Sequence, residues 1–263
     1  MPPPREFHER GLVDVSFSGL LLARSRSWLL RTAPPCLITG MGNHIREQAL
    51  QTIADKLGEL DLPHPVRVGV DGVSASGKTV FSDELAAVLR GRKREVIRAG
   101  LDGFHNPPEI RHRQGPTSVD GYLEDSFDFE AVRRCVLDPL GPGGNRLYRA
   151  EIYDHKTEQA REVPVVAADP RAILVFEGVT LFRKEIVAGF DFKILVQVSF
   201  EVALERAKTR DLGHFGDMET LLTKYRKRFI PAQRRYLEQS RAASQADLVL
   251  VNDDWARPTL EFS

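Results

Sequence analysis

The sequence predicts an α/β fold, a mostly parallel sheet flanked by helices, with small accessory strands and a lid. Three observations predict it. Short β-branched or apolar runs at Val66–Val70, Ala172–Phe176, Phe192–Val198 and Ala246–Val251 alternate with segments of helical period, the spacing of βαβ units covered on both faces. A glycine-rich turn joins the first run to an amphipathic helix from Lys78 to about Leu89. The 263 residues, 42% of them hydrophobic, suffice for one large core.

Residues 1–40 carry a short apolar stretch, Gly19–Ala23, followed by Arg24, Arg26 and Arg31. That stretch is too short for a secretory core, and Glu6, Glu9 and Asp14 argue against a transit peptide. The segment reads as a poorly ordered extension or as residues upstream of a true start at Met41. Ile45, Ala49, Leu50, Ile53, Leu57 and Leu60 then recur at helical spacing and open a domain over 41–263. A strand at Glu95–Leu101 precedes an irregular stretch, Gly103 to Asp125, too long for an ordinary connection and therefore a functional candidate. Ser126 or Asp128 caps a helix to about Leu137. Tyr148–Tyr153 and Glu162–Val166 read as accessory strands. Helices follow at Phe200–Thr209 and Met218–Leu237, the second with Arg226, Arg228, Arg234 and Arg235 on what reads mainly as a solvated face.

Lys plus Arg and Asp plus Glu number 37 each, so no global electrostatic footprint for nucleic acid exists. No apolar run reaches the roughly 20 residues of a membrane span. Cys36 and Cys135 show no metal-ligand spacing, and a reducing, cytoplasmic setting is the expectation.

Gly72-Val73-Ser74-Ala75-Ser76-Gly77-Lys78-Thr79 satisfies G-x-x-x-x-G-K-[ST] between a strand and a helix. In that context backbone N–H groups curl around phosphate oxygens and the helix N-terminus adds favourable charge. Lys78 is placed to reach the β- and γ-phosphates of ATP, and the Thr79 hydroxyl to ligate Mg²⁺. Three constellations extend the motif. Asp102 follows a strand at the sheet end where ligands bind and can deprotonate an acceptor hydroxyl, with His105 near it. Glu177 ends the run Ala172–Phe176 in the manner of a Walker B acid, a metal or catalytic group. Arg206 and Arg210, at i,i+4 before a glycine-containing break, suit a lid near 206–216 that clamps the transferring phosphoryl group.

The ensemble resembles the uridine kinase, phosphoribulokinase and pantothenate kinase group of P-loop kinases from about Val66 to Asp253. The resemblance rests on Gly72–Thr79, Leu101-Asp-Gly-Phe-His105, Asp125-Ser-Phe-Asp128, Tyr153-Asp154, Phe176-Glu-Gly178, Arg206 through Asp211, Tyr225 through Arg234, and Ala246 through Asp253. It implies a P-loop kinase fold, the cofactors ATP and Mg²⁺, the acceptor's general base at Asp102, lid arginines at Arg206 and Arg210, and acceptor contacts at His105, Tyr153 and Asp154. It also implies a small-molecule hydroxyl acceptor and leaves homo-oligomerisation open.

Two departures weaken a uridine or cytidine label. Gly121-Tyr122 stands where nucleoside-kinase members carry Phe-Asp, which makes Tyr122 the residue offered to the acceptor. Glu158 lies near the place of an expected histidine, with His155 at a different offset. The alternatives are a P-loop kinase of another acceptor, such as a pantothenate-like alcohol, a sugar acid like glycerate, or a sugar phosphate met by Arg111 and Arg113. A non-catalytic nucleotide sensor is a further reading.

Overall fold

All seven residues of β1 (Val66–Gly72) are buried, because this strand is paired on both edges and covered on both faces. The computed structural model describes residues 40–263; the expectation for the N-terminal extension lies, up to residue 39, outside the described residues. After β1 come β2 (Val96–Gly100), the two-residue strands β3 (Leu147–Tyr148), β4 (Tyr153–Asp154), β5 (Gln159–Ala160) and β6 (Val166–Ala167), then β7 (Ile173–Gly178), β8 (Phe192–Gln197), β9 (Leu248–Val251) and β10 (Thr259–Phe262).

The main sheet runs β10-β9-β8-β1-β7-β2 and is parallel except for β10. Val68 and Val70 of β1 pack with Ile173, Val175, Ile194 and Val196 against Phe81, Leu85, Ile53 and Leu57 of the helices Lys78–Gly91 and Gly40–Gly58. The opposite face of β1 is Arg67, Gly69 and Asp71. Gly69 admits the Phe190 ring, whose Cγ would lie 2.7 Å from any added Cβ. Around it Phe176, Phe104, Phe182, Leu137 and Tyr236 close the second core. Arg67, nearly buried, is held by Asp191 through Nε at 3.0 Å and Nη2 at 2.8 Å, and donates to the Leu137 carbonyl at 3.2 Å.

The P-loop kinase architecture expected from the sequence is therefore present, with differences in detail. The stretch 103–125 is not structureless: it holds a 3₁₀ turn at Leu101–Phe104 and short helices Pro108–Arg111 and Val119–Asp125, the latter capped by Ser118. It doubles back because Asn106 N–H donates to Ser126 O and Asp128 N–H to Phe104 O. Asp128 caps the helix at Phe129–Val132, which continues as a π turn at Arg133–Leu137. The accessory strands shrink to two hairpin-like pairs, β3 with β6 and β4 with β5. The glycine-containing break after Arg210 folds as a short helix, Leu212–Phe215. Antiparallel β10 is additional; its exposed residues gave no burial signal in the sequence. Among the described residues no helix is long and apolar enough to cross a membrane.

Asp191→Ala strands the buried Arg67 guanidinium. Urea unfolding should show a loss of about 3–5 kcal/mol; an effect under about 1 kcal/mol would mean that this pair does not hold the edge of the second core.

Candidate active site

The parallel register brings the C-terminal ends of β1, β7 and β2 to one rim: Asp71 lies opposite Gly178, and Gly100 opposite Glu177. The loop 72–79 leaves that rim. Its last residue before the helix, Gly77, is left-handed at φ 94°, and Ala75 is also left-handed at φ 62°. Gly72 is needed for a close approach, since a Cβ there would meet the Val196 carbonyl oxygen at 2.5 Å. The loop is tied from outside. Asn252 Nδ2 donates to Ser76 O at 2.8 Å, Arg206 Nη1 to the same oxygen at 3.2 Å, and Ser74 N–H to Gln233 Oε1 at 3.0 Å.

Lys78 is buried, and its ammonium donates to Val73 O at 3.0 Å. Burial pulls its pKa below the ordinary lysine value, against the opposing pull of Glu177 and Asp71. Ser76 Oγ is buried without a hydrogen-bond partner. A cradle with a buried cation on a neutral acceptor and an unpartnered hydroxyl fits a phosphate chain. Beneath it sits Asp71, wholly buried, which accepts from Tyr236 Oη and from Gly72 N–H at 2.7 Å. Burial pushes its carboxyl above the usual carboxylate range, with the Tyr236 hydrogen bond opposing.

Thr79 Oγ1 donates to Glu177 Oε2 at 3.0 Å, and Arg98 Nη2 lies 3.7 Å from the other carboxylate oxygen. A hydroxyl and a carboxylate side by side at the end of a phosphate loop are hard oxygen donors that suit Mg²⁺. Asp102 sits on the 3₁₀ turn just beyond β2, and with Ser74 it lines a cavity of about 330 Å³. His105 shares that cavity. Its ring lies 4.5 Å from Phe127 and 5.0 Å from His155, and burial lowers its pKa from the ordinary imidazole value, against the opposing pull of Asp102.

Tyr122 also lines the cavity. Burial pushes its hydroxyl up to about 12, so it keeps its proton. Gln233 Nε2 donates to Tyr122 Oη and to Ser74 Oγ, both at 2.7 Å, a bridge from the phosphate loop to the acceptor side. Tyr153 is set just behind, donating to Glu158 at 2.9 Å. Asp154 is not brought to the cavity. Its carboxylate accepts Lys156 N–H at 2.9 Å and Thr157 N–H at 3.4 Å in an exposed turn.

The two arginines expected to clamp a phosphoryl group are already engaged. Arg206 Nη2 donates to the Asn252 and Asp253 carbonyls at 2.7 and 2.9 Å, besides its bond to Ser76, so it staples the loop after β9 to the phosphate loop. Arg210 pairs with Asp211 at 2.6 Å, and Asp211 also accepts the Tyr225 hydroxyl. Arg210 nevertheless lies near enough to add to the lowering of the Lys78 pKa, of which burial is the main cause. Arg228 is not on a solvated face: it is 3% exposed and lines the cavity. Arg113, by contrast, does not line the cavity and pairs with the buried Asp125.

Sequence reasoning missed Gln233, Asn252 and Asp71. Each lies inside or beside a matched segment, but only burial, absent from a sequence, marks a polar residue there as a bridge.

A family model described as the phosphoribulokinase/uridine kinase family matches residues 67–253. Uridine-cytidine kinase B of Dictyostelium discoideum is 29% identical over 189 residues, 71% of this chain and 74% of that protein. Uridine/cytidine kinase UKL1, chloroplastic, of Arabidopsis thaliana is 29% identical over 170 residues, 64% of this chain; the match spans only 34% of that longer protein. A solved structure described as a possible uridine kinase from Bacillus stearothermophilus aligns with a TM-score of 0.61 at 20% identity, over 77% of this chain and 97% of that one.

If Arg206 acts by geometry, Arg206→Lys should weaken nucleotide binding nearly as much as Arg206→Met, roughly tenfold or more for the loss of charge-assisted hydrogen bonds. Titration calorimetry reads the difference. Near-normal affinity in Arg206→Lys would show that charge alone suffices.

Proposed function

The chain belongs to the phosphoribulokinase/uridine kinase family, and on that premise we propose that it is an ATP- and Mg²⁺-dependent phosphotransferase acting on a hydroxyl of a small molecule. A P-loop kinase acting on a small-molecule acceptor is the family's level of description. The observation that carries it is that Ser74 of the phosphate loop and Asp102 line one cavity, with the Thr79–Glu177 pair at the same sheet rim.

Thr79, and Glu177 directly or through water, are the residues that would hold Mg²⁺, which supplies neutralising charge to the triphosphate. Lys78 and the N–H groups of 72–79 bind the phosphate chain. Asp102 takes the proton of the acceptor hydroxyl; that oxygen bonds to the γ-phosphorus as the bond to the β,γ-bridging oxygen breaks, and ADP leaves. Tyr122 and His105 orient the acceptor. Arg210, released from Asp211 when the segment after it moves, is the residue placed to follow charge onto the transferring group. A cytoplasmic location, where ATP is available, fits this reading. Uridine and cytidine, named for the relatives, are the first acceptors to try.

Coupled ADP release with Mg-ATP across nucleosides, pantothenate, glycerate and pentose phosphates tests the proposal. Acceptor-dependent turnover should fall by about 10²–10⁴-fold in Asp102→Asn and be lost in Lys78→Ala. Turnover that survives in both variants sinks the assignment. Tight Mg-ATP binding with no turnover on any acceptor would favour the sensor.

A further inference from the structure

The acceptor end of the cavity carries more positive charge than its own carboxylates balance. Three full cations, Arg111, Lys224 and Arg228, line it, with Asp102 and Glu158 as the acids. Glu158 is taken: it pairs with Arg111 and accepts the Tyr153 hydroxyl. Asp125, buried close behind, is taken by Arg113 and by Gln114 at 2.7 Å. Asp102 is the group at the phosphoryl-transfer end. Arg228 and Lys224 have no carboxylate partner among the described residues.

Every acceptor that these two cations meet is neutral. Arg228 Nη1 lies 3.0 Å from His112 Nδ1 and donates to Pro116 O at 3.0 Å, while Nη2 donates to Arg111 O at 3.1 Å. Lys224 Nζ donates to Pro116 O at 2.9 Å. The Nε atoms of Arg228 and Arg111 are buried with no partner at all. Burial lowers the pKa of Arg228, with Arg111 adding to it against the opposing pull of Tyr122 and Asp125, and Arg228 contributes to lowering those of Lys224 and His112. A neutral amide side chain could pin the loop 111–116 to the helix without this repulsion. A buried, unpaired guanidinium is costly unless something negative arrives to meet it.

Resting on the phosphotransferase reading above, we propose that the acceptor is an alcohol that already carries an anionic group, phosphate or carboxylate, received by the two cations Arg228 and Lys224 that line the cavity. Planar guanidinium forks match either oxyanion. Two unpaired cations suit the charge of a phosphate monoester, about −1.5 to −2 at pH 7, better than a single carboxylate. The acceptor's free hydroxyl then lies toward Asp102, and its anion toward the helix that holds Lys224 and the π turn Tyr225–Phe229.

The test uses the full chain saturated with Mg²⁺ and a non-hydrolysable ATP analogue, so that the phosphate loop is filled. Inorganic sulfate is titrated calorimetrically into wild type, Arg228→Gln and Lys224→Gln, and the acceptor panel is run on the same three proteins with Mg-ATP. Sulfate should bind wild type and weaken roughly tenfold or more in each variant, with analogue binding retained. KM for a pentose phosphate or glycerate should rise by a similar factor, and which of the two turns over separates phosphate from carboxylate. Arg228→Gln keeps amide donors toward the loop; if its melting temperature collapses, Lys224→Gln decides. Analogue binding with no sulfate binding, or turnover of neutral nucleosides at unchanged KM in both variants, overturns the anion site alone. Failure of wild type to bind the analogue overturns the phosphotransferase reading instead.

Discussion

The site depends on the pairing of β1 between β7 and β8. Parallel strands in register end at one edge, and here that edge collects Asp71 and Gly72, Glu177, and Gly100 with Asp102 just beyond it. The close packing of Gly72 on the Val196 carbonyl fixes where the chain leaves the sheet, and the left-handed turn at Gly77 fixes how it enters the helix. Had β1 stood at a sheet edge, the loop would lack the support from β8 and from Asn252 after β9 that holds Ser76.

Around that frame the protein uses buried polar residues as links between elements. Tyr236 accepts Phe182 N–H at 2.7 Å and donates to Asp71, joining the helix Ile230–Ser240 to the floor of the phosphate loop. One turn earlier, Gln233 joins that helix to Ser74 and Tyr122. Both contacts come from a segment that is helical from Met218 to Ser240 and passes through a π turn at Tyr225–Phe229. Such turns are frequent at functional sites. This one holds both Tyr225, bonded to Asp211, and Arg228, which lines the cavity that Asp102 shares.

Charge is distributed unevenly around the cavity. Near the phosphate loop, Lys78 lies within electrostatic reach of Glu177, Asp71, Arg210 and Asp102. The cavity itself is lined by Arg111, neutralised by Glu158, and by Lys224 and Arg228, which have no carboxylate partner among the described residues. Aromatic and histidine rings at Tyr122, Phe127, His105 and His155 line it too, an apolar wall that strengthens every charge interaction inside it.

The parallel α/β architecture was legible in the sequence, because buried strands announce themselves by β-branched runs and the phosphate loop by glycine spacing; so was the location of Lys78 and Thr79 at the start of the following helix and of Asp102 and Glu177 at strand ends. The tertiary structure alone decided what the arginines do. Arg206, Arg210 and Arg228 look alike in a helical pattern, yet one staples two loops, one is held by Asp211, and one is buried in the cavity. The difference is set by which carbonyls and carboxylates packing brings within reach. Arg206 and Arg228 take their surroundings from partners more than 40 residues away, of which local periodicity carries no record, whereas Arg210 is held by its neighbour Asp211.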